Sequence, residues 1–316
     1  MSRPEGPPGK GAGGALRERL GELVRRRRAN AVPGRPAGPE ATGDTEVARF
    51  SPSSLPPWSL PPWSLPPSKP KLRGKVSATD SGATGVDAFL PGGEWHHERH
   101  GSVYVHERLR SDVERWRRTW GRLPEPPPGE VELSSLRHLG LERALLLDLE
   151  TCGLSSSPVF LAGTMHWNGE DFVLRQYFAR HYGEEAALLA AVSEQTRAFE
   201  ALVTFNGKSY DAPFLAARAL THGVELKLPR HHLDLLHHAR RRWRTDMPDC
   251  RLTTLEWRVC RRRRVGDVPG DQIPGLYHDY VRNGDPWRLV PVFHHNLLDV
   301  TTMADVLHAL CVPARN

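Results

Sequence analysis

One short stretch, ALLLDLETCGL at residues 144–154, constrains the fold more than any other part of the chain. Four apolar residues lead into Asp148, and a leucine separates this acid from Glu150. A continuous apolar run of this length that ends at a turn signal indicates a buried strand. Because side chains alternate along a strand, Asp148 and Glu150 are predicted to lie on the same face.

Two carboxylates on one face of a buried strand repel each other and lose hydration, so they need a nearby cation. Carboxylate oxygens are ligands that suit Mg²⁺ or Mn²⁺. Taken alone, the pattern fits a strand that ends in two solvated acids equally well. Further acids elsewhere in the chain decide between these interpretations.

Composition restricts the number of domains, the kind of partner and the cellular location expected for this chain. The 316 residues allow one or two domains, and the net charge of +6 is compatible with a polyanionic partner. The four cysteines show no C-x-x-C spacing, so a reduced, cytoplasmic location is expected. No apolar run approaches the length of a membrane-spanning helix, and the first ten residues, MSRPEGPPGK, lack the apolar segment expected of a signal peptide.

The N-terminal region differs in composition from the rest of the chain. Residues 1–90 are predicted to be a largely disordered, basic, Pro-rich tail, in which SLPPW repeats at 54–58 and 59–63. The repeats are compatible with a docking motif for a protein partner or with a simple spacer. Residues 91–139 are interpreted as an N-terminal extension or connector, and residues 140–316 as the compact domain.

The pattern becomes regular after residue 140. Apolar runs at 159–167 and 172–178 flank an Asn-Gly turn, which is a strong hairpin signal. A helix is expected over 184–202, a buried strand over 201–205 and another helix over 212–222. A hairpin followed by helix, strand and helix predicts an α/β fold with a mixed sheet flanked by helices.

Two further acids lie where elements begin. Asp211 follows the second buried strand and opens a helix, where an N-terminal acid with no other role is an equally good interpretation. Asp299 sits among apolar residues of the C-terminal helix, which is unusual unless the acid is paired or bound. Asp234 begins another helix and is interpreted as a cap rather than a fifth metal ligand.

The acids and their neighbouring residues resemble the motifs of a known superfamily. The segment D-L-E-T-C-G-L at 148–154 resembles the first motif of the DEDD superfamily of 3′–5′ exonucleases. The pattern Asn206-x-x-x-Tyr210-Asp211 is similar to the second motif, and a histidine upstream of Asp299 is similar to the third. The later motifs, together with R-x-x-D-x-P-G-x-x-I-P-x-x-Y at 264–277, more narrowly resemble the bacterial YprB-like proteins.

The resemblance covers roughly 140–312 and implies a ribonuclease H-like fold with metal-dependent cleavage of phosphodiester bonds. It implies that two divalent ions are held by Asp148, Glu150, Asp211 and Asp299, with Asp148 bridging the ions. It also implies that Thr151 and Leu154 touch the terminal nucleotide. Lys208, within the second motif, is assigned to nucleic-acid binding.

Two adjacent histidines are candidates for the general base. His295 lies four residues before Asp299 and His294 lies five before it. Residues at i and i+4 share a face of a helix, whereas residues at i and i+5 do not. His295 is therefore favoured, and His294 would serve only if it preceded the helix.

The chain between the second and third motifs is strongly basic, with ten arginines and three acids from 240 to 264. Such clusters suit phosphate-backbone binding, although a charge run is also typical of a solvated helix face. The block Arg261, Arg262, Arg263 and Arg264 is assigned to nucleic-acid binding.

Three functional hypotheses follow. The leading one is a Mg²⁺- or Mn²⁺-dependent 3′–5′ exonuclease that acts on a single-stranded DNA or RNA end. The alternatives are a catalytically silent ribonuclease H-like module that binds nucleic acid or a partner, and a structure-specific endonuclease. The four acids argue against the silent module, whereas the endonuclease would share the same metal site.

Overall fold

The computed structural model describes residues 85–114, 122–153, 156–264 and 266–312, all within one unit of the chain. The predicted Pro-rich tail with its SLPPW repeats lies outside the described residues. Among the described helices, none is long and apolar enough to cross a lipid bilayer.

Seven strands form one mixed sheet in the order β1-β2-β5-β4-β3-β6-β7. The first five strands in this order are antiparallel to their neighbours, and β6 and β7 continue from β3 in parallel. The strands are β1 (Gly93–His97), β2 (Gly101–Leu109), β3 (Ala144–Thr151), β4 (Val159–Trp167), β5 (Phe172–Phe178), β6 (Ala201–Thr204) and β7 (His231–Asp234).

Helices cover both faces of this sheet. In the described residues they are α1 (Arg110–Val113), α2 (Val131–Leu139), α3 (Glu185–Thr196), α4 (Asp211–His222), α5 (Leu235–Trp243), α6 (Leu252–Arg258), α7 (Ile273–Asn283) and α8 (Val290–Cys311). Short 3₁₀ turns lie at Val86–Ala88, Leu141–Arg143, Tyr182–Glu184 and Pro286–Leu289. The predicted mixed sheet flanked by helices is therefore confirmed.

The β4–β5 hairpin has the predicted bounds because its turn chemistry is local. The Asn168 side chain accepts hydrogen bonds from the backbone N–H groups of Glu170 and Asp171, at 2.9 and 2.8 Å. Gly169 has a φ of +100°, a conformation that favours glycine. The hairpin aligns β4 beside β3, which carries the first two acids.

Two clusters of buried apolar side chains lie on β3, one on each face of the sheet. Leu147 and Leu149 belong to the cluster that contains the α3 residues, whereas Leu146 belongs to the cluster that contains most of the buried α8 residues, among them Leu297 and Val300. Since side chains alternate along a strand, Asp148 and Glu150 continue the face that carries Leu146. This places the two acids towards α8.

Candidate active site

The first two acids come from the end of β3. Leu149 between them is buried on the opposite face, and Asp148 and Glu150 are both partly buried. Asp148 lies opposite Gly163 of β4, and the pairing register shifts between Glu150 and Thr151. The strand therefore presents both carboxylates on one face immediately before its ladder becomes irregular, as the sequence predicts.

The third acid, Asp211, is the first residue of α4 and is buried. Asp211 follows β6, which pairs in parallel with β3. The loop 205–210 therefore lies beside the C-terminal end of β3. Asp234 fixes this loop, because its carboxylate accepts hydrogen bonds from the backbone N–H groups of Asn206 and Lys208 at 2.7 and 3.1 Å. The same carboxylate accepts from the backbone N–H of Leu236 and caps α5, as predicted.

Helix α8 supplies the remaining candidates. His295, Asn296 and Asp299 all lie within it, so the helix begins before both histidines. The fully buried Asn296 donates a hydrogen bond from Nδ2 to Asp148 Oδ2 at 2.9 Å. Its Oδ1 accepts one from Gln176 Nε2 of β5 at 3.0 Å. Asn296 thereby ties the third motif to the first.

Gly163 makes the approach of Asn296 possible. A Cβ atom at position 163 would lie 2.1 Å from Asn296 Oδ1, which is closer than real Cβ atoms approach other heavy atoms. The absence of a side chain on β4 therefore leaves room for the amide that orients Asp148.

The electrostatics show that the four acids share one region. Burial raises the pKa of Asp148 well above its usual range, and the charges of Asp299, Glu150 and Asp211 raise it further. Burial also raises the pKa of Glu150 to about 8, with Asp299 and Asp211 adding to the shift against the opposing charge of His295. Such shifts are expected when carboxylates converge in a poorly solvated space.

Arg264 places a positive charge among these acids. Its guanidinium contacts Asp299 Oδ1, lies 2.6 Å from Glu256 Oε2 and 3.1 Å from Asp267 Oδ2, and is largely buried. Burial lowers the pKa of Arg264, but the charges of Asp299 and Glu256 outweigh it and leave the pKa above its ordinary value. The arginine therefore neutralises part of the carboxylate cluster from within the protein.

The donor chemistry of the cluster fits a hard divalent cation, since Asp148, Glu150, Asp211 and Asp299 offer only carboxylate oxygens. As the side chains stand in the described residues, no group of three Asp, Glu, His or Cys is arranged to hold a metal ion. Asp299 is instead satisfied by Arg264, and Asp148 by Asn296. A bound ion would thus have to compete with Arg264 for Asp299.

His295 also lies between two carboxylates. Its Nδ1 is 2.7 Å from Asp267 Oδ1, and its Nε2 is 3.4 Å from Asp299 Oδ2. Burial alone would lower the pKa of His295, but the hydrogen bonds to Asp267 and Asp299 raise it to about 11. In this arrangement the imidazole is protonated at neutral pH. It cannot accept a proton from water until it loses one of these partners.

His294 has a different environment. Burial lowers the pKa of His294 to about 4, so its ring is neutral near pH 7. The i and i+4 spacing correctly identified His295 as the histidine beside Asp299. The catalytic role of either ring stays a prediction.

Two of the three motif residues predicted to contact nucleic acid, Thr151 and Lys208, lie within the described residues. Thr151 Oγ1 lies 3.2 Å from the hydroxyl of Tyr210, a residue of the second motif. Lys208 Nζ lies 3.1 Å from Glu132 Oε1 in a surface ion pair. Leu154 lies outside the described residues.

The basic block 261–264 alternates between outward and inward side chains. Arg262 pairs with Glu114 and Asp305 at 3.0 and 2.6 Å, and Arg264 pairs with the acids described above. Two of the four arginines are thus paired with buried or half-buried acids, and the assignment of the block to nucleic-acid binding stays a prediction. Arg261 and Arg263 are exposed and remain candidates.

Sequence reasoning missed three residues that support the acids: Asn296, Gln176 and Gly163. One signal was available, since Asn296 interrupts the apolar face of α8 next to Phe293 and Leu297. A polar residue at a core position of a helix indicates a specific buried hydrogen bond. Its partners, however, lie more than a hundred residues away in the sequence.

Comparison with known proteins identifies the family of the chain. The family model RNase_H_2, of the RNase_H superfamily, matches residues 145–311. The uncharacterized protein YprB of Bacillus subtilis (strain 168) is 34% identical over 161 residues, which span 49% of this chain and 39% of that protein. The chain therefore covers well under half of this relative's length.

A solved structure, the family B DNA polymerase from the hyperthermophilic archaeon Pyrobaculum calidifontis, superposes with a TM-score of 0.43 and 17% identity, over 53% of this chain and 24% of the polymerase. The family match includes β3, α4 and α8, which carry all four acids. Because the match spans more than half of the chain, this protein belongs to the RNase_H_2 family of the RNase_H superfamily.

Proposed function

We propose that this chain is a metal-dependent nuclease that hydrolyses phosphodiester bonds of DNA or RNA as a 3′–5′ exonuclease. The proposed ligands of two Mg²⁺ or Mn²⁺ ions are Asp148, Glu150, Asp211 and Asp299. The proposed substrate is a single-stranded end, and the proposed location is the cytoplasm. A protein partner for the Pro/Trp-rich tail remains part of the proposal.

The observation that carries the proposal is the convergence of the four acids. Acids from β3, α4 and α8 are close enough for Asp299, Glu150 and Asp211 each to raise the pKa of Asp148. Carboxylates gathered in a poorly solvated place repel one another and lose hydration, so the cluster costs the fold stability. Clusters of this kind are characteristic of functional sites.

The chain's own residues prepare this site in distinct ways. Asn296 holds one oxygen of Asp148 by donating from its amide, and this favours the ionised form of the acid. Arg264 and the protonated His295 balance the charge of Asp299. Divalent ions bound to such carboxylates would activate the attacking water and stabilise charge on the leaving oxygen.

One observation favours a second candidate, the catalytically silent binding module. Arg264 already satisfies Asp299, so the acid has a partner without any metal. A protein that uses the fold only for binding would keep such an ion pair permanently. The two functions differ in whether Asp299 can exchange the arginine for a divalent ion.

The deciding experiment is an incubation of the purified full chain with oligonucleotides labelled at the 3′ or the 5′ end. Single-stranded DNA, single-stranded RNA and duplexes are compared with Mg²⁺, with Mn²⁺ and with a chelator. The proposal expects metal-dependent release of mononucleotides from the 3′ end, absent from Asp148→Asn. Internal fragments would instead indicate an endonuclease, and an intact substrate in every metal condition would support the silent module.

A further inference from the structure

A surface cavity of about 520 Å³ lies beside the candidate active site. It lies beside α6, and its lining includes Trp257, Arg263, Arg264 and Asp267. Ligand sites in proteins commonly have volumes of roughly 300–1,000 Å³. The cavity is therefore large enough to hold a nucleotide.

Trp257 forms an aromatic and solvent-exposed wall of this cavity. Of the described Trp, Tyr and Phe side chains it is the most exposed, at 53%. The two preceding residues, Leu255 and Glu256, are fully buried and anchor α6, so the indole stands on a fixed support. An anchored and solvent-facing indole offers a flat surface on which a nucleobase can stack.

The charge around Trp257 suits a polyanion. Arg258, Arg261 and Arg263 are exposed, and within the described part of the chain none of them forms an ion pair with an acid. The guanidinium of Arg263 lies 6.0 Å from the centre of the Trp257 ring. An aromatic platform beside uncompensated arginines is the usual combination in sites for single-stranded nucleic acid.

The cavity is linked to the carboxylates by direct contacts. Arg264 lines the cavity and contacts Asp299, and Asp267 lines it and contacts His295. A strand that entered the cavity would therefore lie one side chain away from the acidic cluster. The cavity is thus placed to hold a nucleotide next to the one being cleaved.

We infer that this cavity is a nucleotide subsite, in which a base of single-stranded nucleic acid stacks on Trp257 and a backbone phosphate binds Arg263. The inference rests on the proposed nuclease function for the identity of its ligand. It adds a binding position outside the four acids and separates Arg263 from the internally paired Arg262 and Arg264. Base stacking is tolerant of sequence, so the subsite would accept any base.

The test measures binding in chelator, where no cleavage occurs, by fluorescence anisotropy of a labelled 20-nucleotide single strand. Trp257→Ala in the full chain should bind roughly 5- to 150-fold more weakly, the range for loss of one base–aromatic stack. Trp287→Ala is the matched control, because this second indole is 44% exposed but packs against Phe89, away from the cavity. It should bind as the wild type does.

Two further arms identify the interaction. An abasic strand of equal length has the same phosphates but no bases, so Trp257→Ala should bind it as well as the wild type does. Arg263→Gln should weaken binding of both strands and reduce the slope of log affinity against log salt by about 0.7.

The subsite is refuted if Trp257→Ala binds the normal strand as the wild type does, or loses as much affinity for the abasic strand. A wild-type chain that cleaves with Mn²⁺ under either of these outcomes would still be a nuclease. A wild-type chain that neither binds nor cleaves any strand would refute the subsite and the proposed function together.

Discussion

Replacement of Gly163 by alanine tests how Asp148 is held in place. The new Cβ would lie 2.1 Å from Asn296 Oδ1, well inside the 3.0 Å limit of real contacts. Backbone on β4 and β3 is fixed by the ladder, so the Asn296 side chain has to move by roughly 1 Å. The φ of Gly163 is not in the left-handed region, so the effect is steric rather than conformational.

The size of the effect follows from the bonds that this movement breaks. Asn296 leaves Asp148 Oδ2, now at 2.9 Å, and Gln176 Nε2, now at 3.0 Å. A buried polar group left without its partner costs about 1–3 kcal/mol. We therefore expect Gly163→Ala to lower the free energy of unfolding by about 2–6 kcal/mol, a large share of the usual total.

The measurement is urea denaturation of the full chain in chelator, with Gly270→Ala as the matched control. A Cβ atom at position 270 meets nothing within 4 Å, and the φ there is not positive, so this control should change stability by less than about 0.5 kcal/mol. A double-mutant cycle completes the design. In an Asn296→Ala background, Gly163→Ala should cost little, because the colliding amide is gone.

Two results would refute this reasoning. Equal stability of the Gly163→Ala and Gly270→Ala variants would show that Asn296 can rearrange without losing its partners. An unchanged cost of Gly163→Ala in the Asn296→Ala background would show that the collision involves some other group.

Four further predictions concern the charges of the site. Asp148→Asn replaces an acid whose ionisation is opposed by burial and by the neighbouring acids, so it should abolish cleavage yet raise the melting temperature in chelator, and retained turnover with Mn²⁺ would contradict the metal assignment. The pKa of Glu150 is raised to about 8, so the folded protein keeps a proton that the unfolded chain releases, and metal-free stability should fall as the pH rises from about 4.5 to 8; Glu150→Gln should flatten this dependence in denaturation curves. Arg264→Gln should destabilise the metal-free protein by about 3–5 kcal/mol but tighten Mn²⁺ binding in calorimetry, because Asp299 loses its internal cation; weaker binding would contradict this competition. His295→Ala should slow cleavage about 10²- to 10⁴-fold without weakening Mn²⁺ binding if the imidazole acts as base, and an unchanged rate would exclude that role.

Local patterns predicted much of the fold. The alternation in Ala144–Thr151 correctly placed Asp148 and Glu150 on one face, and the Asn-Gly turn correctly located the hairpin of β4 and β5. Both depend on neighbours within a few residues. The boundaries of α3 were less well predicted, because the apolar pattern continues from Glu185–Thr196 into the next strand.

Long-range pairing was not accessible in this way. The arginine block 261–264 looked like a uniform basic surface, yet the acids that neutralise Arg262 include Glu114 of the N-terminal region, far away in the sequence. The pairing of Asn296 with Asp148 likewise depends on the packing of α8 across β3. Charge counts describe how many partners a segment needs but cannot identify which ones it finds.

The strands β1 and β2 have a consequence for aggregation. Without them, β5 would be an outer strand with unpaired N–H and C=O groups, and six of its seven residues are buried apolar or amide side chains. An exposed strand of this kind is a template for pairing with another copy. In the observed sheet the outermost strand on this side is β1, which has five residues, among them Glu94 and two histidines. The N-terminal strands thus replace an aggregation-prone edge strand with a short one that carries charged and polar side chains. A fragment that began at residue 140 would expose β5 as an edge strand.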